Sequence, residues 1–385
     1  MNNKYLFAQY LRGVAALSVM FAHFGTSFFN ANDTLSLLVN AKPVEDRSYP
    51  WIISLIPIDF PGFMAVFGVS VFFLISGFVI PMSIERYSVT DFLSKRFFRL
   101  VPTYIFVFTL NMLIALLGLM IYKSQGIEYV YTIRNIIGAY FIGFNTFISG
   151  AIWLDPVAWT LAVEITFYLI SAIFFNASFM IRRAKEINLW DVVILSGILH
   201  LAAIKISKHY DALNAIAPWI NIGNIIKAIY LIAFMLVGTT FYLHAKGRIG
   251  IQKLVFTVAL QYFAFLYTNL HIHSTAVYVG IVPTFSWFAI SLLAFSLCYS
   301  VNDKIKEHRA LGFLADISYP LYLCHSYIGY LLMSVIIEMN FLPRSLVVFL
   351  PFPVAIYVAY LIHKFVEMPT HRMSFSGLLR IKGKG

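Results

Sequence analysis

The sequence is poor in charge. Only 12% of its 385 residues are Asp, Glu, Lys or Arg, whereas a soluble protein of this size carries about 25%. Hydrophobic residues make up 60% of the chain, and apolar runs long enough to cross a bilayer recur from one end to the other. This composition excludes an ordinary soluble enzyme. It predicts an all-α polytopic membrane protein that leaves little chain for a soluble domain.

Cysteine and acidic residues are also scarce. The two cysteines, Cys298 and Cys324, lie inside apolar segments, which excludes a disulfide framework. Asp and Glu number 17 against 28 Lys and Arg, but the basic residues occupy short loops between apolar runs. That pattern orients a membrane protein and favours anionic ligands at one face, so we predict no nucleic-acid partner. The first apolar run has no small-residue cleavage site close behind it and is predicted to be a retained anchor.

Ten membrane spans are predicted by length and hydropathy. They lie at 6–29, 64–83, 100–122, 157–180, 189–207, 225–243, 254–270, 277–300, 314–338 and 345–365. The interval 135–152 is too short for a span and is predicted to be re-entrant or interfacial. Of the 28 basic residues, 19 fall on the side of both termini and 8 on the other, which predicts cytoplasmic termini. Residues 1–365 would form the transmembrane domain and 366–385 a short basic cytoplasmic tail.

The first span contains two ionisable residues, Arg12 and His23, whose exposure to lipid is energetically unfavourable. Eleven residues apart on a helix, they share nearly one face and lie about 16 Å apart along its axis. Ionisable groups in a span normally face the bundle interior or a wet cavity, which makes this face a candidate site. The alternative is that Arg12 reaches the near interface while His23 makes an interhelical hydrogen bond.

Four further stretches carry candidate site residues. Ser76, in the second span, is small enough to allow close helix approach. In the loop that follows, Arg96 and Arg99 are three residues apart, so on a helix they would share a face and could bind a phosphate together. The alternative is that both only help to set the orientation of the protein in the membrane as basic loop residues. Glu164 lies inside the fourth span, five residues after Trp159. We predict that it is a charge partner for His23 or Arg12, and the alternative is a structural ion pair without a role in chemistry. The remaining candidates are Tyr319, Tyr322 and His325, a polar stripe in the ninth span, and Glu367, near the end of the tenth.

These stretches together resemble acyltransferase family 3, membrane enzymes that move acyl groups onto cell-envelope carbohydrates. The matching elements are Arg12-x10-His23, Arg96-x-x-Arg99, Trp159-Thr-Leu-x-x-Glu164-x-x-x-Tyr168, Ile317-Ser-Tyr-x-x-Tyr-Leu-x-His325 and Glu367-x-Pro369. They occur in the family's order over about 360 residues. One departure is Lys95, where many relatives have a second arginine, which keeps the charge but loses one guanidinium.

The resemblance implies a bacterial inner-membrane O-acyltransferase without a fused hydrolase-like domain. Its donor would be acetyl-CoA or another acyl-CoA, held near Arg96 and Arg99. Its acceptor would be a sugar hydroxyl on a cell-surface or lipid-linked polysaccharide, with no metal. His23, Arg12 and Glu164 would be catalytic, and His23 would act either as general base or as acyl-carrying nucleophile.

The other candidates would line the cavity or contact the acceptor: Ser76, Trp159, Tyr319, Tyr322, His325 and Glu367. Two other functions remain open on the sequence. One is a transporter or flippase of a glycolipid, in which the intramembrane polar residues line a translocation path. The other is a structural partner in an envelope-polymer complex.

Overall fold

The computed structural model describes residues 5–55, 59–123, 131–272, 281–340, 342–371 and 373. Within these residues the chain is helical, and its longer helices are joined by mostly short connections that make neighbours antiparallel. They are α1 Leu6–Ala22, α2 Asp59–Arg86, α3 Val89–Tyr122, α4 Ala158–Arg182, α5 Leu189–Lys208, α6 Ile222–Ala245, α7 Ile251–Ile272, α8 Ile281–Ser300, α9 Ser318–Met339 and α10 Pro351–Ile362. We call the end of the bundle where α1 begins the near end, and the opposite end the far end.

The helices confirm an all-α polytopic membrane protein. In the described residues, eight helical segments are long and apolar enough to cross a bilayer, and α1 makes a ninth with its continuation through Leu38, which bends by 112°. The predicted span 277–300 begins outside the described residues, and the apolar part of α8 that is described, Ser286–Ser300, is shorter. Helices suit this environment because each satisfies its own backbone hydrogen bonds in lipid.

The interval 135–152 does not cross the bundle. It contains the end of a short helix, Ile133–Ala139, and one 3₁₀ turn, Phe144–Phe147. The Tyr104 hydroxyl of α3 donates to the carbonyl of Ala139 over 2.7 Å. An isolated antiparallel bridge joins Ile148 to Ile220, just before α6. The segment therefore packs on the middle of α3 and on the start of α6 without spanning.

Two predicted boundaries shift in the structure. The predicted span 314–338 is divided at Ile317 into a short helix, Arg309–Asp316, and α9. Pro320 stands in the first turn of α9, where a missing N–H removes no hydrogen bond. At the other end of the chain, α10 continues through a wider π-helical turn and ends at His371, six residues beyond the predicted end of the span. Most of the predicted tail lies outside the described residues.

Helices α6 and α9 form the centre of the bundle. In each, 83% of the most apolar window is buried, against 33% in α3 and α7. The outer helices expose large apolar side chains, among them Leu113, Phe263 and Ile198, on surfaces that suit lipid and not water. Of these two central helices, α9 carries Tyr319, Tyr322 and His325.

Gly77 allows α2 to approach α6 backbone to backbone. A Cβ built on Gly77 would lie 1.7 Å from the carbonyl oxygen of Met235, so the helices would have to separate. We expect Gly77→Ala to destabilise the bundle by roughly 1–3 kcal/mol, the usual cost of overpacking. The measurement is the thermal unfolding midpoint of purified protein in detergent.

The matched control for this prediction is Gly197→Ala in the middle of α5. A Cβ there meets nothing within 4 Å, and alanine favours a helix over glycine by up to about 1 kcal/mol. Its midpoint should stay level or rise. Equal midpoints for Gly77→Ala and wild type would show that the α2–α6 contact is not limiting for stability.

Candidate active site

A cavity of about 230 Å³ lies in the near half of the bundle. Its charged lining residues are Arg12, Arg96, Arg99 and Glu164, and its polar ones are Tyr5, Gln9, Ser76, Thr160, Tyr168, Tyr319 and Tyr322. The chain thus brings together seven of the residues singled out in the sequence, from five different helices: Arg12, Ser76, Arg96, Arg99, Glu164, Tyr319 and Tyr322. The cavity does not include His23, Trp159, His325 or Glu367.

Arg96 and Arg99 reach the cavity from a helix and not from a loop. Helix α3 begins at Val89, where the Ser88 hydroxyl accepts from the Asp91 N–H as an N-cap, and the two arginines lie one turn apart on the same face. The Arg96 guanidinium donates to Ser83 Oγ over 2.6 Å. Among the described residues, Arg99 has no hydrogen bond or ion pair, so its donors remain available to a ligand.

Arg96 is held in place by more than that hydrogen bond. Its guanidinium carbon lies 5.7 Å from the ring centroids of both Phe92 and Tyr168. Cation–π contacts of this kind are worth about 0.5–2 kcal/mol and leave the charge un-neutralised. Arg96 is therefore an ordered cation at the cavity wall, and Arg99 beside it is less constrained.

Arg12 adds a third guanidinium to the same cavity. It has no hydrogen bond or ion pair within the described part of the chain, and the carboxylates of Glu164 and Glu367 lie within Coulombic range of it. Three guanidiniums face one lining carboxylate, so the cavity favours an anion. A cation would be repelled, and no group of three or more potential metal-ligand side chains occurs among the described residues.

Glu164 is anchored on its own side of the cavity. Its Oε1 accepts a hydrogen bond from Ser76 Oγ over 2.6 Å and a second from the Tyr168 hydroxyl. The hydrogen bond to His23 or Arg12 considered in the sequence is not what the structure contains. The sequence pattern included Tyr168 only as part of a motif and did not identify it as a partner of Glu164. The i,i+4 spacing of the two residues in α4 puts them on one face and could have indicated it.

His23 is paired with His325 across 302 residues of sequence. His325 Nε2 lies 3.0 Å from His23 Nδ1, and His325 Nδ1 lies 2.9 Å from the carbonyl oxygen of Leu321. A carbonyl only accepts, so His325 Nδ1 carries the hydrogen, and in the neutral ring Nε2 then has the lone pair. His23 Nδ1–H therefore donates to it.

This chain of hydrogen bonds leaves the lone pair of His23 on Nε2. That is the protonation state needed of a general base or of an imidazole nucleophile. His325 is fully buried, and a proton beyond the one on each ring would place an unpaired charge inside the bundle at high cost. The orienting partner of the candidate base is thus a second imidazole and not a carboxylate.

The backbone at His23 is adapted to this pairing. α1 widens there into a π-helical turn, His23–Ser27, a feature frequent at functional sites. The next residue, Phe24, packs on Gly329 of α9 so closely that a Cβ on the glycine would lie 2.0 Å from the phenyl ring. This close contact brings the two helices together where the imidazoles meet.

Tyr322 connects the cavity to the histidine pair. It lines the cavity, its hydroxyl lies 2.8 Å from Thr160 Oγ1, and its ring centroid is 6.3 Å from that of His325. Arg12 thus faces the cavity while His23 lies on the other side of Tyr322, joined to it through His325. The two residues are linked only through the contacts of His325 with His23 and with Tyr322.

Three other sequence candidates have different surroundings. Glu367 lies in the π-helical turn after α10, where its Oε2 is 2.7 Å from His363 Nδ1. Trp159 lies at the start of α4, with the Lys227 ammonium 4.0 Å above its ring. The Tyr319 hydroxyl donates to the carbonyl of Leu100 over 2.9 Å. Nothing in the sequence pattern distinguished Lys227.

Asp155 fixes the start of α4 outside the spanning segments. Its Oδ1 accepts from the Val157 N–H over 3.0 Å, as expected of the Asp-Pro pair before a helix. Burial raises the pKa of the Asp155 carboxyl to about 7, against the two backbone N–H groups that favour its charged form. The hydrogen bond from Val157 closes the turn that precedes α4.

Comparison with known proteins agrees with this architecture. The sequence model of a family described as “Acyltransferase domain” matches residues 5–364. The chain is 28% identical over 272 residues to exopolysaccharide production protein ExoZ of Rhizobium meliloti (strain 1021), covering 68% of this chain and 75% of that protein. It is 27% identical over 280 residues to nodulation protein 10 of Rhizobium leguminosarum bv. viciae, covering 70% and 73%. No solved structure matches it. Since the family match spans nearly the whole sequence, the chain belongs to acyltransferase family 3.

Proposed function

We propose that this membrane protein is an O-acyltransferase that moves an acyl group, most simply acetyl, from acyl-CoA to a sugar hydroxyl. The acceptor would be a cell-surface or lipid-linked polysaccharide. The observation that carries the proposal is the cavity in which three arginines meet, together with the neighbouring histidine pair, whose His325 lies against the cavity-lining Tyr322. Anion binding and a proton acceptor are the two functions that transfer from a thioester requires.

The donor is assigned from the arginines. Coenzyme A carries a pyrophosphate and a ribose phosphate, and guanidiniums bind phosphate oxygens with paired, charge-assisted hydrogen bonds. Arg96 and Arg99 lie near the beginning of α3, at the near end, which the excess of basic residues predicts to be cytoplasmic. Acyl-CoA would enter there, with its thioester directed along α1 past Arg12 toward His23.

His23 would perform the transfer in one of two ways, and both use the lone pair on Nε2. As general base it takes the proton of the sugar hydroxyl while that oxygen attacks the thioester carbon, and it passes this proton to the leaving sulfur, so that coenzyme A departs as the thiol. As nucleophile, Nε2 first displaces coenzyme A as the thiolate and becomes an acyl-imidazolium with its Nδ1 hydrogen in place. The sugar oxygen then attacks the acyl carbon, the neutral imidazole leaves, and the hydroxyl proton goes to the thiolate. His325 is the positioning residue in both routes, because its Nε2 accepts a hydrogen bond from Nδ1–H of His23 and so keeps the lone pair of His23 on Nε2.

The remaining assignments follow from this reaction. Arg12 would bind part of coenzyme A or stabilise the oxyanion of the tetrahedral intermediate. Glu164, held by Ser76 and Tyr168, would balance the charge of the arginines when no anion is bound. The protein would reside in the bacterial inner membrane with both termini in the cytoplasm, so that the donor enters from inside and the acceptor from outside.

The test is mass spectrometry of envelope glycans from cells with and without the gene, combined with an assay of the purified protein. We expect an acyl substituent to disappear from one sugar position in the deletion strain and to return on complementation. The purified protein should release the thiol of coenzyme A from acetyl-CoA in the presence of those glycans. Glycans identical in both strains, with no thiol release, would contradict the proposal.

A glycolipid transporter is the second candidate, because intramembrane Arg, His and Glu also line translocation paths. It needs no acyl donor. Movement of a labelled glycolipid across proteoliposomes without acyl-CoA, with no release of thiol, would favour it over the enzyme.

A further inference from the structure

Helices α7 and α8 follow each other in the chain but leave a wide space between them at the near end. α7 packs mainly on α5 and α6, whereas α8 packs mainly on α2 and α1. The space is a groove of about 1180 Å³, which we call the α7–α8 groove. Its walls come from 251–262 of α7 and 289–300 of α8, and its floor includes Phe241 and His244 of α6.

The α7–α8 groove is separate from the cavity that contains the arginines. Arg12, Arg96 and Arg99 line that cavity and not the groove. In the described part of the chain, Tyr5 is the only residue that lines both spaces, and its ring packs edge-on against Phe78 with centroids 4.9 Å apart. The donor site proposed above therefore does not account for the groove.

The length of the groove matches one leaflet of a bilayer. At about 1.5 Å per residue, each wall extends about 16 Å along its helix, close to half of the ~30 Å hydrocarbon core. Val255 and Leu293 belong to the two walls and are exposed, on a surface that suits lipid and not water. The groove therefore opens sideways to the acyl chains of the near leaflet.

His244 and Tyr299 supply a polar group where the groove reaches the near end. His244 lies in the last turn of α6, and its Nδ1 is 2.6 Å from the Tyr299 hydroxyl. If the hydroxyl donates to Nδ1, His244 keeps Nε2–H, and if Nδ1–H donates, Tyr299 keeps its hydroxyl hydrogen. Among the described residues the pair has no other side-chain hydrogen bond. One donor is thus free in either arrangement, as suits a phosphate oxygen.

The segments that form the mouth of the groove are basic. Against Asp303, which lines the mouth, and Glu307, they carry exposed lysines whose side chains have no hydrogen bond or ion pair within the described residues: Lys246, Lys253, Lys304 and Lys306. Arg248, from the same connection, is already paired with Glu85. The lysines leave an excess of positive charge at the level of the headgroups, which favours an anionic lipid over a neutral one.

We propose that the α7–α8 groove is a binding site for an anionic phospholipid of the near leaflet. The acyl chains fill the apolar walls, while the phosphate accepts from the His244–Tyr299 pair and lies among the lysines of the mouth. The bound lipid also packs on Tyr5, and so on one side of the arginine cavity. This site does not depend on acyl transfer.

Native mass spectrometry of the full-length protein tests the proposal. Delipidated protein in detergent is mixed with equal amounts of dioleoyl phosphatidylglycerol and dioleoyl phosphatidylethanolamine, which share their chains and differ in headgroup charge. We expect wild type to retain the phosphatidylglycerol about tenfold more than the phosphatidylethanolamine, the effect of one or two lysines on an anionic headgroup.

The charge of the mouth is tested by a matched pair of double variants. Lys253→Gln with Lys304→Gln should reduce the preference for phosphatidylglycerol to less than about threefold. Lys205→Gln with Lys208→Gln removes the same charge from exposed positions at the far end of α5 and should leave the preference unchanged. Equal retention of the two lipids by wild type, or a preference that survives the mouth variant, would contradict an anionic ligand.

The groove itself is tested by filling it. Val258→Trp, on the α7 wall, should lower retention of both lipids about tenfold, since displacing even two methylene groups from an apolar site has that effect. Ser296→Trp repeats the test from the α8 wall, and the thermal unfolding midpoint shows that each variant is folded. Phe263→Trp, exposed on α7 outside the groove, should retain lipid as wild type does.

Two results of the filling experiment would overturn the proposal. One is lipid retention in folded Val258→Trp and Ser296→Trp equal to that of wild type, which would place the lipid elsewhere on the surface. The other is a protein dimer in place of the lipid adduct that dissociates in the same variants, which would make a second copy of the chain the occupant.

Discussion

Replacing His23 by alanine is expected to lower the rate of acyl transfer by roughly 10²–10⁴-fold, the usual contribution of a general base, or more if His23 is acylated. The substitution removes the lone pair on Nε2 and leaves His325 without its donor. The measurement is release of the coenzyme A thiol at saturating acyl-CoA, normalised to the amount of protein in the membrane. That amount should match wild type.

Two variants of His325, which orients His23, serve as controls for this prediction. Glutamine at 325 can present a side-chain carbonyl near the position of Nε2 and still accept from His23 Nδ1–H. Leucine cannot, and it leaves that N–H buried and unpaired, at about 1–3 kcal/mol. We therefore expect His325→Gln to retain measurable activity and His325→Leu to lose most of it.

A matched histidine outside the site separates chemistry from packing. His200 of α5 is also buried, with its Nδ1 2.8 Å from the Thr268 hydroxyl. His200→Gln should change the transfer rate less than about twofold, because surface or core polar substitutions away from a site act mainly on stability. Wild-type rates in His23→Ala, or equal losses in all of these variants, would remove His23 from the mechanism.

Replacing Arg99 by glutamine is expected to raise the KM for acyl-CoA by roughly 10–100-fold with little change in kcat. A hydrogen bond to a charged group contributes about 1.5–3 kcal/mol, and each 1.4 kcal/mol corresponds to a factor of ten. Because Arg99 has no hydrogen bond or ion pair among the described residues, its loss should leave the folded protein intact. Initial rates over a range of acetyl-CoA concentrations provide the measurement.

Arg96 and Lys95 complete this experiment. Arg96→Gln should raise the same KM and also lower the unfolding midpoint, because Arg96 bonds to Ser83 and packs on Phe92 and Tyr168. Lys95 is exposed, with its ammonium 4.7 Å from the Tyr87 ring and outside the cavity. Lys95→Gln should change the KM less than about threefold. An unchanged KM in the Arg96→Gln, Arg99→Gln double variant would show that the two arginines do not bind the donor and only help to set the orientation of the protein in the membrane.

Much of this protein could be predicted without a structure. Low charge and recurring apolar runs require helices that satisfy their own backbone in lipid, and this requirement is local. The resemblance to acyltransferase family 3 was likewise carried by short stretches, each readable by itself. Helical spacing was enough to put Arg96 and Arg99 on one face, although the sequence did not show that α3 starts early enough to include them.

Partners across the bundle could not be predicted in this way. Ser76 and Gly77 are adjacent small residues, yet Ser76 donates to Glu164 and Gly77 packs on the backbone of Met235. Which face of α2 meets which neighbour depends on helix rotation and crossing, and these are set by packing over the whole bundle.

The sequence by itself therefore determined the fold class, the approximate spans, the family and seven of the eleven charged or polar residues that line the cavity. Only the tertiary structure decided that His23 bonds to His325 and not to Glu164, that Tyr322 stands between this pair and the arginines, and that Lys227 rests on Trp159. The physical reason is the separation along the sequence over which each interaction acts. Hydropathy and helical periodicity act over a few turns, whereas these contacts join residues up to 302 positions apart and exist only once the helices have packed.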